Sequence, residues 1–383
     1  MSTCIPDLLS SGAWADVVAW LPRNLDELAA SSLGFQRRRA IKTPADFIRV
    51  AMAYSVLDLS LRSVAAWCSE HKIGELSDVA VLGRLRRGWP LLKAVFEQLL
   101  AEQLHEAPRA ALQRRIRLID ATTLSQPGSS GADWRLHASY DPARGMVDGV
   151  EVTDGRGGEH LGRVPLRPGD LVVADRGYAH EQRIREVRDV GADVLVRIGH
   201  RAVPMVDKDG ADVDPLCFAL RKRSAAGRPP RAESRVVYLR CDADRRHPLR
   251  LIVVRKSRDA TERDRARIQR EARKKGKVPT SRTLAACRFA FLLTSVPEDE
   301  ASDATMANLY RLRWQIELAF KRWKSLLGLT GLRADDPHLA RAYIYAKLIA
   351  AALADRMTRQ WRAFSPYGVP ICDGNLASLA ERH

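Results

Sequence analysis

The sequence predicts an α/β protein that begins with a helical domain, and three changes of pattern support this. Residues 1–112 repeat apolar side chains every three or four positions, as amphipathic helices do. From residue 113 the pattern becomes alternating or continuously apolar over short stretches, and a strand–helix–strand order follows at 170–198. The helical period returns from residue 293. The 383 residues are enough for two or three domains and a sizeable core.

The charge balance points to a polyanionic partner. The chain has 63 Lys and Arg against 46 Asp and Glu, a formal net charge of +17. Such an excess favours nucleic acid as the partner, although a generally basic soluble protein is the alternative. The arginines are spread over every segment, which suits an extended DNA path better than a single basic tail.

The cysteines and the apolar runs indicate a reduced, cytoplasmic protein without a membrane segment. None of the cysteines forms a CxxC pair or has a His at zinc-ligand spacing. No signal-peptide pattern opens the chain. The most apolar late run, 342–357, is interrupted by Lys347 and Asp355 and is too short to span a bilayer. The six cysteines are Cys4, Cys68, Cys217, Cys241, Cys287 and Cys372.

The amino-terminal region contains a helix, a turn and a basic helix. Residues 60–70 form the first predicted helix, and Ser77 caps a second at 78–87 that ends at Gly88. This order is typical of a helix-turn-helix, whose second helix can enter a major groove, but any helical hairpin gives the same pattern. The candidate DNA contacts here are Arg84, Arg86 and Arg87.

Residues 310–327 are predicted to form one long helix that Gly328 ends. At about 100° per residue, its apolar side chains occupy one arc and face the core. A neighbouring arc of roughly 60° holds only polar side chains. One acid among bases in single file indicates a site, and an amphipathic surface helix is the alternative. The four polar residues of this arc are Tyr310, Arg313, Glu317 and Lys324.

Two aspartates stand at or just after the ends of predicted strands. Asp120 lies in the strand 115–124 and Asp175 follows the strand 170–174. Each alone could be a turn or cap residue. With Glu317 they make three hard oxygen ligands, which suit a pair of Mg²⁺ ions that activate water in phosphoryl transfer. Spacing alone does not exclude other acids, namely Asp133, Asp141, Asp148, Asp154 and Glu159.

Three motifs carry a family resemblance. They are LIDATTL around Asp120, VADRGY around Asp175, and YRLRWQIELAFKRWK. The chain resembles the DDE transposases of bacterial insertion sequences, specifically the insertion-sequence-four family. That family's signature is Tyr, two residues, Arg, three residues, Glu, six residues and Lys, and Tyr310, Arg313, Glu317 and Lys324 match its spacing. The resemblance covers roughly residues 112–350, and the first 100 residues are only loosely similar.

The resemblance implies an RNase H-like (retroviral-integrase-like) catalytic domain with strand order 3-2-1-4-5 and a β-rich insertion before the third-acid helix. With the pattern changes, it gives five expected segments. They are a helical DNA-binding domain at 1–112, the first catalytic part at 113–199, the insertion at 200–292, the third-acid part at 293–335 and a helical carboxyl-terminal segment at 336–383.

The resemblance also implies the chemistry. Members cut transposon ends with metal-activated water and then use the freed 3′-OH to attack target DNA. The implied cofactors are two Mg²⁺ ions, for which Mn²⁺ can substitute. The implied partners are double-stranded DNA (terminal inverted repeats and target) and a second copy in a synaptic complex, in the cytoplasm of a bacterium at its nucleoid.

The roles of single residues follow from the matched motifs. Asp120, Asp175 and Glu317 are expected to hold the ions, while Tyr310, Arg313 and Lys324 are expected to grip phosphates. The remaining candidates have competing interpretations. Trp314 could stack on a base or pack at the rim, and the WRLH pair could face the site or be ordinary strand residues on the solvent face. The four remaining candidates are Arg176 and Trp314 as DNA contacts, and Arg135 and His137, the WRLH pair, behind the site.

Two rival functions remain on this fold. One is a metal-dependent nuclease that cuts without joining, and the other is a DNA-binding protein that has lost catalysis. The Tyr-Arg-Glu-Lys signature favours a transposase over the first, and the presence of all three acids argues against the second. The chain has no P-loop, HExxH or GxSxG motif, so nucleotide hydrolysis, zinc proteolysis and serine hydrolysis have no support.

Overall fold

The computed structural model describes residues 9, 11–36, 38–106, 114–126, 128–129, 131–221 and 232–364. In this part of the chain, helices from both ends pack on one side of a mixed sheet. The amino-terminal helices are α1 (Ser11–Val18), α2 (Leu25–Ser31), α3 (Pro44–Ser55), α4 (Leu61–Glu70) and α5 (Asp78–Glu106).

Helix α5 is longer than the sequence predicts. Ser77 caps it as expected, its Oγ accepting from the Ala80 amide at 3.2 Å. The helix does not end at Gly88, however, and continues to Glu106 through Pro90. Gly88 is a point of close packing, since an added Cβ would lie 2.0 Å from the Phe47 ring. Buried leucines before and after Gly88 keep the helix on one core, which outweighs the weak helix propensity of Gly and Pro.

The sheet begins with the predicted strands β1 (Arg115–Leu124), β2 (Trp134–Asp141) and β3 (Met146–Asp154), paired antiparallel. Strand β4 (Asp170–Ala174) pairs parallel with β1, and after helix α6 (Glu181–Asp189) strand β5 (Asp193–Ile198) pairs parallel with β4. The order β3-β2-β1-β4-β5 is the one that the resemblance implied.

The segment 200–292 extends this sheet. It contains β6 (Met205–Val206), α7 (Pro215–Leu220), β7 (Ala232–Leu239), β8 (Leu249–Arg255), α8 (Arg258–Lys274) and α9 (Ser281–Ala286), and runs into β9 (Phe289–Thr294). Strand β9 pairs antiparallel with β5, so the order continues as β9-β8-β7-β6. The expected boundary at 292 therefore falls inside a strand, because β9 covers the backbone groups that β5 would otherwise expose.

The chain ends in α10 (Asp303–Arg311), α11 (Trp314–Leu326) and α12 (Pro337–Phe364). The single helix expected at 310–327 is thus divided. The Arg313 amide bonds to the Tyr310 carbonyl at 3.2 Å and the Gln315 amide to the Leu312 carbonyl at 2.9 Å, a tighter, 3₁₀-type turn. Gly328 follows α11 with φ of 58°, the left-handed stop that the sequence predicts.

The sheet has an apolar cluster on each face. On one face, Leu118 and Val173 pack with Ile316 and Phe320 of α11 and with α12. The other face includes Ile119 and the buried residues of α6. Full burial of each such side chain contributes about 1.5–3 kcal/mol, so α11 is fixed to the sheet by its apolar stripe.

Two expectations from composition can be compared with this fold. Within the described ranges, no helix is both long and apolar enough to cross a membrane. The described cysteines, Cys68, Cys217, Cys241 and Cys287, are all unpaired thiols. Cys4 and Cys372 lie outside the described residues.

Candidate active site

Asp120 and Asp175 are neighbours at the carboxyl end of the parallel strands. The last β1–β4 pair is Ile119 with Ala174, so the next residue on each strand is an aspartate. The Asp175 Oδ1 accepts from the Gly177 amide at 2.7 Å and caps a single 3₁₀ turn, Arg176–Tyr178. The Asp120 Oδ1 accepts from the Ala121 amide at 2.8 Å. Both carboxylates are therefore oriented by backbone donors.

The third predicted acid reaches the same place from α11. Glu317 lies in the first turn of this helix and is exposed, while Ile316 beside it is fully buried. Helix α11 packs on β1 and β2. The amphipathic spacing therefore buries one side of the helix on the sheet and leaves Glu317 at the edge of the core.

Arg313 joins two of the acids. Its Nη1 donates to Asp120 Oδ2 at 3.0 Å, and its Nη2 donates to Glu317 Oε1. The guanidinium is largely enclosed, and within the described structure its Nε has no hydrogen-bond partner. The guanidinium of Arg313 thus offsets the charge of two neighbouring carboxylates. Arg313 itself lies in the tight turn just before α11.

The electrostatics of the cluster are those of crowded acids. The pKa of Asp120 is raised to about 6, chiefly by burial and also by the charges of Asp175 and Glu317, while the Ala121 amide and Arg313 act to lower it. Burial also raises the pKa of Tyr310, which lies near Arg313, Arg197 and Asp175. Tyr310 thus belongs to the cluster as a neutral phenol, although it lies in α10 and not in the helix of Glu317.

The three carboxylates have the chemistry of a divalent-metal site. Their oxygens are the ligands that Mg²⁺ prefers. A bound cation would offset both the lost hydration of the Asp120 carboxylate and its repulsion by Asp175 and Glu317. As they stand, with Arg313 between two of them, no three His, Cys, Asp or Glu side chains of the described chain are close enough to share one ion. The oxygen chemistry of the three acids suits a divalent ion, and in this structure the Arg313 guanidinium stands between two of them.

The other residues of the third-acid helix are spread along it. Lys324 is half-buried and lies seven residues after Glu317, about 10 Å along the same face. Trp314 is 46% exposed at the start of the helix. The structure brings Tyr310 and Arg313 to the acids, whereas Lys324 and Trp314 lie at the two ends of the exposed edge.

Arg135 and His137 of the WRLH motif do not share the sheet face of Asp120, and their place behind the site stays a prediction. Asp120 is paired with Ala138, so His137, one position away, points to the opposite face of the sheet. His137 is fully buried there, with Nε2 3.0 Å from Thr153 Oγ1, so the solvent-face alternative is also wrong for it. Burial lowers its pKa to about 4, which keeps it neutral. Arg135 shares that face and is half-buried.

The basic residues of α5 are also away from the acids. Arg86 pairs with Asp336 at 2.5 Å, and Arg84 lies over the Phe35 ring at 6.0 Å. Arg86 and Arg87 are exposed. The helix-turn-helix order is present in α4 and α5, but its second helix is held along α12, and its DNA contacts remain a prediction.

Two further groups lie beside the acids: Tyr178, which sequence reasoning missed, and Glu159, which it gave only as a competing acid. Tyr178 is buried near Asp120, Glu159 and Asp175, and its hydroxyl lacks a hydrogen-bond partner among the described residues. Glu159, one of the competing acids, touches Gly177, where an added Cβ would lie 1.7 Å from Glu159 Oε2. The tyrosine lies inside the VADRGY motif, which is the signal that could have found it, whereas no local pattern marks Glu159.

Residues 111–353 match the family model of the transposase DDE domain. The chain belongs to the DDE transposases. It is 38% identical over 366 or 367 residues to several Escherichia coli proteins, among them the transposase for insertion sequence element IS421, covering 92% of this chain and 96% of that protein.

More distant relatives of this DDE transposase extend the set. The transposase for insertion sequence element IS231C of Bacillus thuringiensis subsp. berliner is 24% identical over 378 residues, covering 86% of this chain and 76% of that protein. A solved structure, the cryo-EM structure of piggyBac transposase synaptic complex with hairpin DNA, is 10% identical with a TM-score of 0.39, covering 96% of this chain and 82% of that one.

Proposed function

We propose that this DDE transposase binds the ends of its own insertion sequence, cleaves them with divalent metal and joins the 3′ ends to target DNA. The observation that carries this is the convergence of Asp120, Asp175 and Glu317 at one end of the parallel strands, with Arg313 between two of them. The sheet order and the Tyr-Arg-Glu-Lys spacing support a finer assignment, an RNase H-like domain of the insertion-sequence-four family.

In this proposal Asp120, Asp175 and Glu317 hold two Mg²⁺ ions, with Mn²⁺ as a substitute. The ions supply activation of the attacking oxygen and stabilisation of the leaving oxygen. Arg313 has a double role. Its guanidinium offsets the acids before DNA arrives and then makes a bidentate contact to a phosphate, for which its planar fork is suited. Tyr310 and Lys324 contact the same end, and Trp314 and Arg176 extend that contact.

The DNA partners are the terminal inverted repeats and the target duplex, bound by a dimer in a synaptic complex. The net charge of +17 and the exposed arginines of the described surface support this assignment. Arg84, Arg86 and Arg87 are proposed as further contacts from α5. The segments proposed as domains are those predicted from the sequence, except that the insertion is continuous with the central sheet.

A strand-transfer assay tests the proposal. A labelled duplex carrying the terminal inverted repeat that flanks the gene, already cut at its 3′ end, is mixed with a supercoiled plasmid and Mg²⁺. We expect labelled plasmid to form. Hydrolysis of an uncut end without any joining would instead support the nuclease, and end binding without cleavage would support a protein that has lost catalysis.

A further inference from the structure

A row of charged residues crosses three parallel strands at the catalytic end. Ala174 of β4 pairs with Ile119 of β1 and with Val196 of β5. The next residue on each strand is therefore Asp120, Asp175 and Arg197, so a cation continues the row that the two acids begin. Residues in one row of a sheet point to the same face, which is the face that α10 and α11 cover.

Further arginines continue from this row onto the surface. Arg176 follows Asp175 directly, and its Cδ lies within 3.7 Å of a Cβ built on Gly199, just beyond Arg197. Arg197 and Arg267 lie near enough to Arg176 for their charges to act on it, so three guanidinium groups are grouped here. Within the described structure, neither Arg176 nor Arg197 has a carboxylate within ion-pair distance.

Arg267 belongs to helix α8, which extends the same charge. At about 100° per residue, four basic side chains of this helix fall within an arc of about 60°. All four are exposed, and they span about 16 Å of the helix at 1.5 Å per residue. We call this set the α8 stripe: Arg263, Arg267, Arg270 and Lys274.

The first half of α8 holds the stripe in place. Thr261 is buried, and Lys256 donates to Asp264, which also lies 3.5 Å from Arg267. After Asp264 most residues of the helix are exposed, so its basic side faces solvent, while its first turns are held by the contacts of Thr261 and Asp264. The stripe meets the row at Arg267, whose charge acts on Arg176.

We propose that the α8 stripe, with Arg176 and Arg197, is a phosphate-binding track that leads one DNA backbone to the catalytic acids. B-DNA carries one phosphate about every 3.4 Å of axis on each strand, so a stripe of about 16 Å spans several phosphates. The contact is to the backbone and is independent of base sequence. The inference rests on the proposed function only for the statement that the track ends at the site of cleavage.

The test compares two matched double variants on opposite sides of α8. R267Q/R270Q removes two charges of the stripe, and R258Q/R273Q removes two exposed charges from the other side, at about 180° and 120° from Arg267. Arg258 and Arg267 each pair with a glutamate of the next turn, so the loss of such a pair is matched. Binding is measured by fluorescence polarisation with a labelled duplex of arbitrary sequence, in EDTA, over a series of salt concentrations.

For R267Q/R270Q we expect weaker binding and a slope of log Kd against log salt lower by about 1.8, or 0.9 for each lost phosphate contact. R258Q/R273Q should keep the wild-type slope. An unchanged slope in R267Q/R270Q, or an equal loss in both doubles, would overturn the track. Because binding is measured without metal, a wild type that neither cleaves nor joins its own ends would overturn the proposed function and leave this comparison intact.

Discussion

The two ends of the parallel strands treat charge in opposite ways. At the amino end, Arg115 makes a two-pronged contact with Asp170, at 2.9 and 2.7 Å, and Asp193 accepts from both Arg114 and Arg188. At the carboxyl end, Asp120 and Glu317 share the single cation of Arg313, with Asp175 beside them. Charges at the amino end are matched by partners, whereas at the carboxyl end three acids crowd together around Arg313 and the cations Arg176 and Arg197 lie beside them.

Under the proposed function, this difference separates a structural role at the amino end from a catalytic role at the carboxyl end. Paired charges hold strands together. Removing one partner leaves the other charge buried and uncompensated, which lowers the free energy of unfolding. Crowded acids lower the stability of the folded state, and such unfavourable groupings are found mostly at functional sites. Size does not identify the site: a cleft of about 680 Å³ lies at the amino end, with Arg114 and Arg188 on its wall bonded to Asp193.

The largest expected effect is on cleavage at the carboxyl end. Asp175→Asn or Glu317→Gln should reduce end cleavage by about a hundredfold or more, because each removes a charged metal ligand worth several kcal/mol in the transition state. End binding, measured by mobility shift, should stay near wild type. The matched control is Asp244→Asn, an exposed acid that lies 3.7 Å from Arg246 across a surface turn. Near wild-type cleavage by either variant would remove that acid from the site.

The next effect is on stability in the amino half of β1. Arg117 is buried and donates to Ser139 Oγ at 2.6 Å, to Asp148 Oδ1 at 2.8 Å and to the Pro165 carbonyl at 2.8 Å. Arg117→Gln should lower the free energy of unfolding by about 3–5 kcal/mol, because Asp148 stays buried without its cation. Urea denaturation measures this. A loss of less than about 1 kcal/mol in the free energy of unfolding would show that paired charges do not stabilise the amino end of the strands as proposed.

The third effect has the opposite sign. Asp120→Asn should raise the free energy of unfolding at pH 7 without metal, by up to about 3 kcal/mol for a pKa raised to about 6. A raised carboxyl pKa means that the folded state takes up a proton first, so the contribution of Asp120 to wild-type stability rises as pH falls from about 6 to about 4.

The gain from Asp120→Asn should therefore shrink over that range and vanish below it. Denaturation at several pH values in EDTA measures the difference between variant and wild type. A gap that stays constant with pH, or a destabilised variant, would contradict the account of crowded acids. Asp244→Asn again serves as the control, since its carboxylate is 76% exposed.

The smallest effect is at the rim of the carboxyl end. Trp314→Ala should change the free energy of unfolding by about 0.5 kcal/mol or less, because the side chain is 46% exposed. If the indole stacks on a base, end binding should weaken by about 1–3 kcal/mol, measured by polarisation with the terminal-repeat duplex. Unchanged binding would favour the rim-packing interpretation.

Local patterns predicted much of the fold. The strands 115–124 and 170–174 agree with β1 and β4, and the apolar stripe of the third-acid helix is buried as its period required. Errors arose where packing outweighs propensity. Gly88 was interpreted as a helix stop, but it is the place where α5 meets Phe47, and this contact is not visible within the chain's local sequence.

The structure brings together the acids that the motifs select, and their catalytic role stays a prediction. Asp120, Asp175 and Glu317 stand in motifs, so sequence alone could select them. The register between β1 and β2 decides that Ala138, and not His137, lies beside Asp120, since one residue of shift moves a side chain to the other face. No pattern along the chain contains that register.

By itself, the sequence determined the strand and helix periods, the net charge of +17 and the spacing of the Tyr-Arg-Glu-Lys residues. Tertiary structure alone decided that Arg313 lies between Asp120 and Glu317, and that Arg197 continues the row of the two aspartates. The reason is physical. Periods and charges are properties of neighbours in the chain, whereas these contacts join residues far apart in it and depend on how strands align and where a tight turn divides two helices.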